Sequence, residues 1–489
     1  MTDAKRRQLT LAATVLGSSL AFIDSSVVVV ALPTIEGDLG FGITGEQWVF
    51  LSYSLALAAL YLPAGAVGDH RGRRTTFVAG IVGFAFASAL AGAAPTGGVL
   101  IAARTLQGVA GAFVTTNSLA LLRETYGREA GKAVGLWTAF TSAVTIGGPP
   151  LGGFIVEWVS WRWIFFINLP LAVGAIVLAE CGVCSQREHH RVGRMDIPGA
   201  ALAATAFGTL TYAMVEGANN GFGTVWWAFV VSALALVAFV VVERRVAEPM
   251  LPFELFERRN LVAANLETFL VYGALAGFFF YFTIYLQFLG FSPAQAGLAS
   301  VPGTVAMILL ASTFGKLADK HGPRLFLTVG PTPVGCGLVL FSFMETESDF
   351  WRFGVAGLAL FSLGLAILVA PITATALSSA PAAYTGIASG LNSTVSRLGN
   401  LLAVAALGLI VLVVFHANGG DGGVPLERGH HEPEIHSASV DAFHVAMLCA
   451  AGLAFAGAAV GAAGISNAEA KRDAAMGETG GSPSPEPAS

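Results

Sequence analysis

Gly65-Ala-Val-Gly-Asp69-His-Arg71-Gly72-Arg73-Arg74 is matched 250 residues later by Gly315-Lys-Leu-Ala-Asp319-Lys-His-Gly322-Pro-Arg324. The Gly, Asp, Gly and final Arg of the two stretches fall at the same offsets. Each copy closes a long apolar segment and opens the next. A membrane-embedded half duplicated within one chain produces this pattern, as in transporters built from repeated halves.

The surrounding composition agrees. Of 489 residues, 55% are apolar and 12% charged, against about 25% charged in soluble domains. The apolar matter falls into runs of roughly 20 residues, the length that crosses about 30 Å of hydrocarbon as helix. Strands in lipid need closed barrels with alternating polarity, and these runs do not alternate. The expected fold is all-α and polytopic, with two pseudo-symmetric halves around a central cavity.

Fourteen candidate spans begin near Leu9, Gln47, Thr75, Gly98, Lys132, Arg162, Asp196, Thr224, Leu261, Ala294, Leu325, Arg352, Gly386 and Asp441. Clusters of Lys and Arg hold 21 of the 26 basic residues on alternate sides; Arg104, Arg162, Arg352, Arg397 and Arg428 fall elsewhere. The positive-inside rule then puts both termini in the cytoplasm. Two six-helix halves alone would repeat at about 195 residues, whereas the motif repeats at 250, and the excess matches two extra spans. The expected plan is a half over 1–195, an inserted pair and linker over 196–260, a second half over 261–465 and a disordered tail over 466–489. Phe415 to Val440, rich in Gly and His, is expected to be an external loop. The apolar run from Leu9 to Leu32 is too long for a signal-peptide core and contains Asp24, so it reads as an uncleaved first helix.

Ionisable residues inside hydrocarbon are functional hypotheses by default, since each costs at least ~2.5 kcal/mol at a helix centre. Asp24 lies roughly 12 Å, and Arg104 roughly 9 Å, from the outer ends of their spans at 1.5 Å per residue, within reach of each other. Gln107 shares the Arg104 face. Asp24 is either a proton acceptor that responds to Arg104 or one member of a permanent structural pair. Glu267, an acid well inside the second half, either receives protons or a cationic group, or snorkels to the inner interface. Gly65, Asp69, Gly72, Arg73 and Arg74, with Gly315, Asp319, Gly322 and Arg324, are expected to form a cytoplasmic gate, a latch that holds when that side is shut. Gly147-Gly148-Pro149-Pro150-Leu-Gly152-Gly153 is expected to interrupt the fifth span as a pivot or a tight seal.

Other signals point nowhere. No basic stretch is interleaved with aromatics, which excludes a nucleic-acid partner. Cys181 and Cys184 have metal spacing but lack a second pair, so no metal is expected. Gly127 to Ala133 lacks the P-loop length, and His431 to His436 lacks zinc-protease spacing, with Pro433 set to break a helix there. The aromatic run Phe278 to Phe282 reads as lipid-facing or core.

Taken together and in order, these motifs resemble the major facilitator superfamily, and specifically its fourteen-helix drug:proton antiporters. The matching stretches are Asp24-Ser-Ser-Val-Val-Val-Val-Ala-Leu-Pro33, Gly65 to Arg74, Arg104-Thr-Leu-Gln107-Gly108, Gly148-Pro149-Pro-Leu-Gly152-Gly153, Trp161-Arg162-Trp163-Ile-Phe-Phe-Ile-Asn168-Leu-Pro170 and Gly386-Ile-Ala-Ser389-Gly390. The resemblance implies export across a bacterial inner membrane in exchange for protons. It implies proton coupling and substrate contact at Asp24 and Arg104, gating at both Gly/Asp loops, and a leak-preventing seal at the antiporter motif. Pro150 departs from that motif, and the scarcity of intramembrane acids points to a monovalent, zwitterionic or neutral lipophile.

The expected protein is a monomeric, multi-pass carrier of lipophilic small molecules, driven by the proton gradient without a cofactor. An exporter of one endogenous metabolite, antibiotic or lipid would look the same. A membrane sensor or scaffold without transport is the rival from another class; an enzyme is disfavoured because no nucleophile–base pair shares a membrane depth.

Overall fold

The computed structural model describes residues 2–127, 130–183, 197–246, 253–380, 385–420, 423–429 and 432–470. The basic cluster Arg187 to Arg194, Cys184 and the tail beyond 470 lie outside these, as do the side chains of Asp69 and Asp319. All regular structure among the described residues is helical.

Seven helices pack first: α1 (Asp3–Leu39), α2 (Gly42–Arg71), α3 (Arg73–Gly92), α4 (Gly97–Tyr126), α5 (Ala130–Trp158), and α6 (Trp163–Phe166) continued by α7 (Asn168–Gly182). The pair α8 (Ile197–Asn220) and α9 (Phe222–Glu243) follows. The second bundle comprises α10 (Arg259–Phe288), α11 (Pro293–Ala299), α12 (Val301–His321), α13 (Pro323–Val329), α14 (Pro331–Phe341), α15 (Val355–Ser378), α16 (Thr385–Ala417) and α17 (Pro433–Gly464). Eleven helical stretches among the described residues are long and apolar enough to cross a membrane. The eleven do not include α2, α5 and α8, each of which contains side chains outside the description.

Local chemistry sets the helix ends. α1 stops at Gly40, left-handed at φ 63°, whose N–H donates to Glu36 O. α11 starts with a capping box, Ser292 and Gln295 bonding each other's backbone, and Pro293 at the first turn. Two sequence expectations need correction. Pro149 and Pro150 do not interrupt the fifth span; α5 is continuous through both, as packed membrane helices tolerate lost backbone bonds where neighbours compensate. The external loop expected over Phe415 to Val440 is shorter, and Pro433 marks its end. It opens α17, a position where the missing N–H would be unpaired anyway, so the loop before α17 ends eight residues earlier than Asp441.

The two Gly/Asp turns have one geometry. Gly72 and Gly322 sit at φ 97° and 91°, a region that favours glycine. In both copies the closing arginine reaches the end of the last helix of its own bundle. Arg74 donates to the Glu180 carboxylate and backbone near the end of α7, and Arg324 Nε donates to Ala462 O of α17 (3.0 Å). Such contacts satisfy carbonyls left open at a helix C-terminus. We call this the basic end of the molecule.

At the opposite end the two bundles close on each other. Gln287 Nε2 donates to Val30 O (2.9 Å), Gln47 Nε2 to Tyr281 Oη (3.0 Å), and the Ala294 N–H to Glu157 Oε2 (3.1 Å). α8 packs on both α2 and α16, across the seam between bundles. It is pinned by Trp48 Nε1 donating to Glu216 Oε1 (2.7 Å) and by the ring of Tyr212 between Trp48 and Trp227.

Candidate functional site

Five helices of the first bundle converge on Asp24. Arg104 Nη1, from α4, donates to Asp24 Oδ2 and to Gln107 Oε1 (2.8 Å). Gln107 Nε2 donates to Asp24 Oδ1 (3.0 Å) and to Ser88 Oγ of α3 (2.7 Å). Asn168 Nδ2, at the start of α7, donates to the same Oδ1 (3.2 Å). From α2, Val49 O accepts from Arg104 Nε (3.2 Å), and the Tyr53 ring lies 4.4 Å from the guanidinium carbon. Asp24, Arg104, Gln107 and Asn168 are all 0% exposed.

Arg104 can reach the cluster because α4 and α2 nearly touch. Gly108 faces the Tyr53 backbone so closely that a Cβ would clash with it. The carboxylate accepts three donors, which suits the ionised, acceptor-only form. Arg104 Nη2 and Asn168 Oδ1 are buried without a partner, so the network has unused capacity for a shifted proton or a rearranged contact.

The structure brings Asp24, Arg104 and Gln107 together and keeps Glu267 apart. Glu267, on α10, is also 0% exposed, and neither carboxylate oxygen has a hydrogen-bond partner. Its Cγ lies beside Gly457 of α17, inside the second bundle. It does not snorkel to an interface.

The glycines of the antiporter motif take different neighbours. Gly148 and Gly152 lie against Ser26 and Val27 of α1, while Gly153 meets the Pro293 and Ala294 backbone of α11. Gly297 of α11 in turn meets the Pro149 carbonyl. At each a Cβ would clash, so these glycines let α5 contact α1 and the other bundle at once. Gly147 faces open space. Among the gate residues, Arg73 pairs with Glu124 of its own bundle (3.6 Å), and Gly65 and Gly315 lie near Thr116 and Ala370. Phe278, Phe280 and Phe282 are core, with Phe279 alone of the run's phenylalanines exposed.

Sequence reasoning missed Ser88 and Tyr53 altogether. Asn168 stood in a quoted motif but without a role; an amide beside a run of apolar residues was the available signal. Ser88 carried none.

Comparisons with known proteins converge on the same class. The Major Facilitator Superfamily profile matches residues 14–404. The multidrug resistance protein Stp of Mycobacterium tuberculosis is 35% identical over 412 residues, 82% of this chain and 75% of that protein. The tetracenomycin C resistance and export protein of Streptomyces glaucescens is 33% identical, over 82% and 75%. The multidrug efflux pump LfrA of Mycolicibacterium smegmatis is 30% identical, over 84% and 82%. Among solved structures, a bacterial homolog of the human lysosomal transporter Spinster, inward-facing and unoccupied, superposes with TM-score 0.66 at 16% identity, covering 96% of this chain and 98% of that one. The chain is thus a multi-pass membrane transporter rather than an enzyme, and it belongs to the major facilitator superfamily and to its drug:proton antiporter family.

Proposed function

We propose that this protein exports lipophilic small molecules in exchange for protons, by alternating access of two six-helix halves with α8 and α9 as an inserted pair. Fourteen spans, with both termini on the cytoplasmic side of a bacterial inner membrane, fit the charge asymmetry. The basic end is then cytoplasmic, and the shut opposite end faces outward. The names of its relatives as resistance and export proteins support the substrate class.

The observation that carries the reading is the buried Asp24 network. Asp24 has no exposure with the outward end shut, so its proton is exchanged when that end opens. Protonation removes acceptor capacity and weakens the hold on Arg104, which then loosens α1 from α4 and α2. α1 also carries the contacts that shut the outward end. Ser26 and Val27 pack on the antiporter motif, and Val30 O accepts from Gln287 of the other half. All lie within roughly 9 Å along the helix at 1.5 Å per residue. A proton on one carboxylate therefore acts through one rigid element on the α1–α5 packing and on the Val30–Gln287 contact between the halves, a differential effect on two states of the kind coupling requires. Glu267 serves as a second proton carrier, a buried acid whose carboxylate has no hydrogen-bond partner among the described residues.

The decisive experiment uses purified protein in liposomes with a pH-sensitive dye inside and an exported amphiphile added. Asp24→Asn is expected to bind the amphiphile but to lose substrate-stimulated proton flux. Undiminished flux in that variant would remove Asp24 from the mechanism.

A further inference from the structure

The mechanism uses Asp24 and Arg104, whose charges cancel. It leaves Arg397 unexplained. This arginine lies on α16, about 18 Å along the helix from Thr385 at 1.5 Å per residue, so its side chain belongs to the membrane interior. It is partly exposed, and it faces the other half, with its guanidinium carbon 4.7 Å from the ring of Tyr61 on α2.

No carboxylate among the described residues answers it. The ion pairs among the described residues join Arg73 to Glu124, Arg74 to Glu180, Arg104 to Asp24 and Arg162 to Asp38. Glu267 turns to α17 instead. An arginine presents five N–H donors in a planar fork, and none of those of Arg397 bonds a described protein acceptor. Nor are they sealed away, unlike Arg104 Nη2.

A second donor stands beside it. Thr394, three residues earlier and hence on the same helix face, has a hydroxyl without a partner that is covered in this closed arrangement and is freed only when the halves part. Tyr53, which lies on Arg104, is eight residues from Tyr61 on the same helix, about 12 Å at 1.5 Å per residue. A planar cation, a hydroxyl without a partner and the Tyr61 ring facing them from α2 make a receptor for an apolar body with an acidic head.

We propose that Arg397 and Thr394 form an anion-binding subsite between the halves, and that the exported amphiphiles include ones bearing a carboxylate, sulfonate or phenolate. This rests on the exporter reading and narrows its substrate class. A cation in hydrocarbon is costly unless paired, and here the cargo supplies the pair. Arg397 thereby holds anionic cargo against α2, the helix whose Tyr53 packs on Arg104 of the proton-carrying network.

The test compares two dyes of one skeleton, 8-anilinonaphthalene-1-sulfonate and uncharged N-phenyl-1-naphthylamine, in proteoliposomes with an imposed pH gradient. Wild-type protein is expected to transport both. Arg397→Gln should lose about ten- to a hundredfold of sulfonate transport, the worth of a charge-assisted hydrogen bond, and keep the neutral dye within about twofold. Arg397→Lys should retain part of the sulfonate activity, which shows that charge rather than folding is at stake. If Arg397→Gln lowers both dyes equally, or neither, the subsite is refuted. Wild-type transport of the neutral dye alone would overturn the anion assignment while the exporter reading stands. Transport of neither would sink the exporter reading, and this one with it.

Discussion

Asp24 and Glu267 occupy the first helix of their respective bundles, and both are fully buried. They differ in their company. Asp24 accepts hydrogen bonds from Arg104, Gln107 and Asn168; Glu267 accepts none. Burial alone therefore says little about an acid in a membrane protein. A carboxylate surrounded by donors anchors its helix to several others. One without donors ties its helix to nothing, and that helix packs as though the residue were apolar. The first is a hub whose protonation changes contacts elsewhere; the second is a store.

The largest expected effect tests the hub. Arg104→Ala should destabilise the protein by about 3–5 kcal/mol, because it strands a buried carboxylate. Thermal unfolding in detergent would show this, and Asp24→Asn added to Arg104→Ala should recover much of the loss. If it recovers nothing, Asp24 does not depend on Arg104 in the way its hydrogen bonds indicate. Next in size is the seal that α5 shares with α11 of the other bundle. Gly153→Ala or Gly297→Ala should cost the shut state about 1–3 kcal/mol by overpacking against backbone. Cysteine cross-linking at the outward end should report the opened population. Unchanged cross-linking would separate the seal from the hub.

The two turns offer the same kind of comparison on a smaller scale. Gly72→Ala and Gly322→Ala should each cost about 1–2 kcal/mol for the left-handed backbone. Gly322→Ala should cost more, because its Cβ also meets Asn467. Equal losses would mean that the α17 end yields freely. Smallest is Glu267→Gln, expected to shift unfolding by less than about 1 kcal/mol since no pairing is lost. It should instead flatten the pH dependence of transport. A loss as large as that of Arg104→Ala would erase the contrast between the two acids.

Much of this was legible in the chain. The doubled Gly/Asp turn requires glycine where φ is positive, and Gly72 and Gly322 occupy that region in both copies. Depth arithmetic put Asp24 level with Arg104, and three-residue spacing put Gln107 beside it. Pro149 and Pro150 misled because local propensity predicts a break, whereas packing against α1 and α11 keeps α5 whole. The start of α17 was misplaced at Asp441 because a proline that ends one helix can start another. Glu267 was ambiguous because snorkelling and burial look identical in one dimension.

What the sequence determined by itself was the class of molecule: apolar runs of spanning length, a repeated turn, and a few charges too costly to lie in lipid by accident. These follow from hydrocarbon thickness and backbone sterics, which act locally. Only the tertiary structure decided which charges meet, that Ser88 and Asn168 complete the Asp24 shell, that Glu267 stands alone, and that Arg397 faces Tyr61 across the seam. Partnership between helices depends on their rotation and crossing, and those are set by the fit of side chains far apart in the chain.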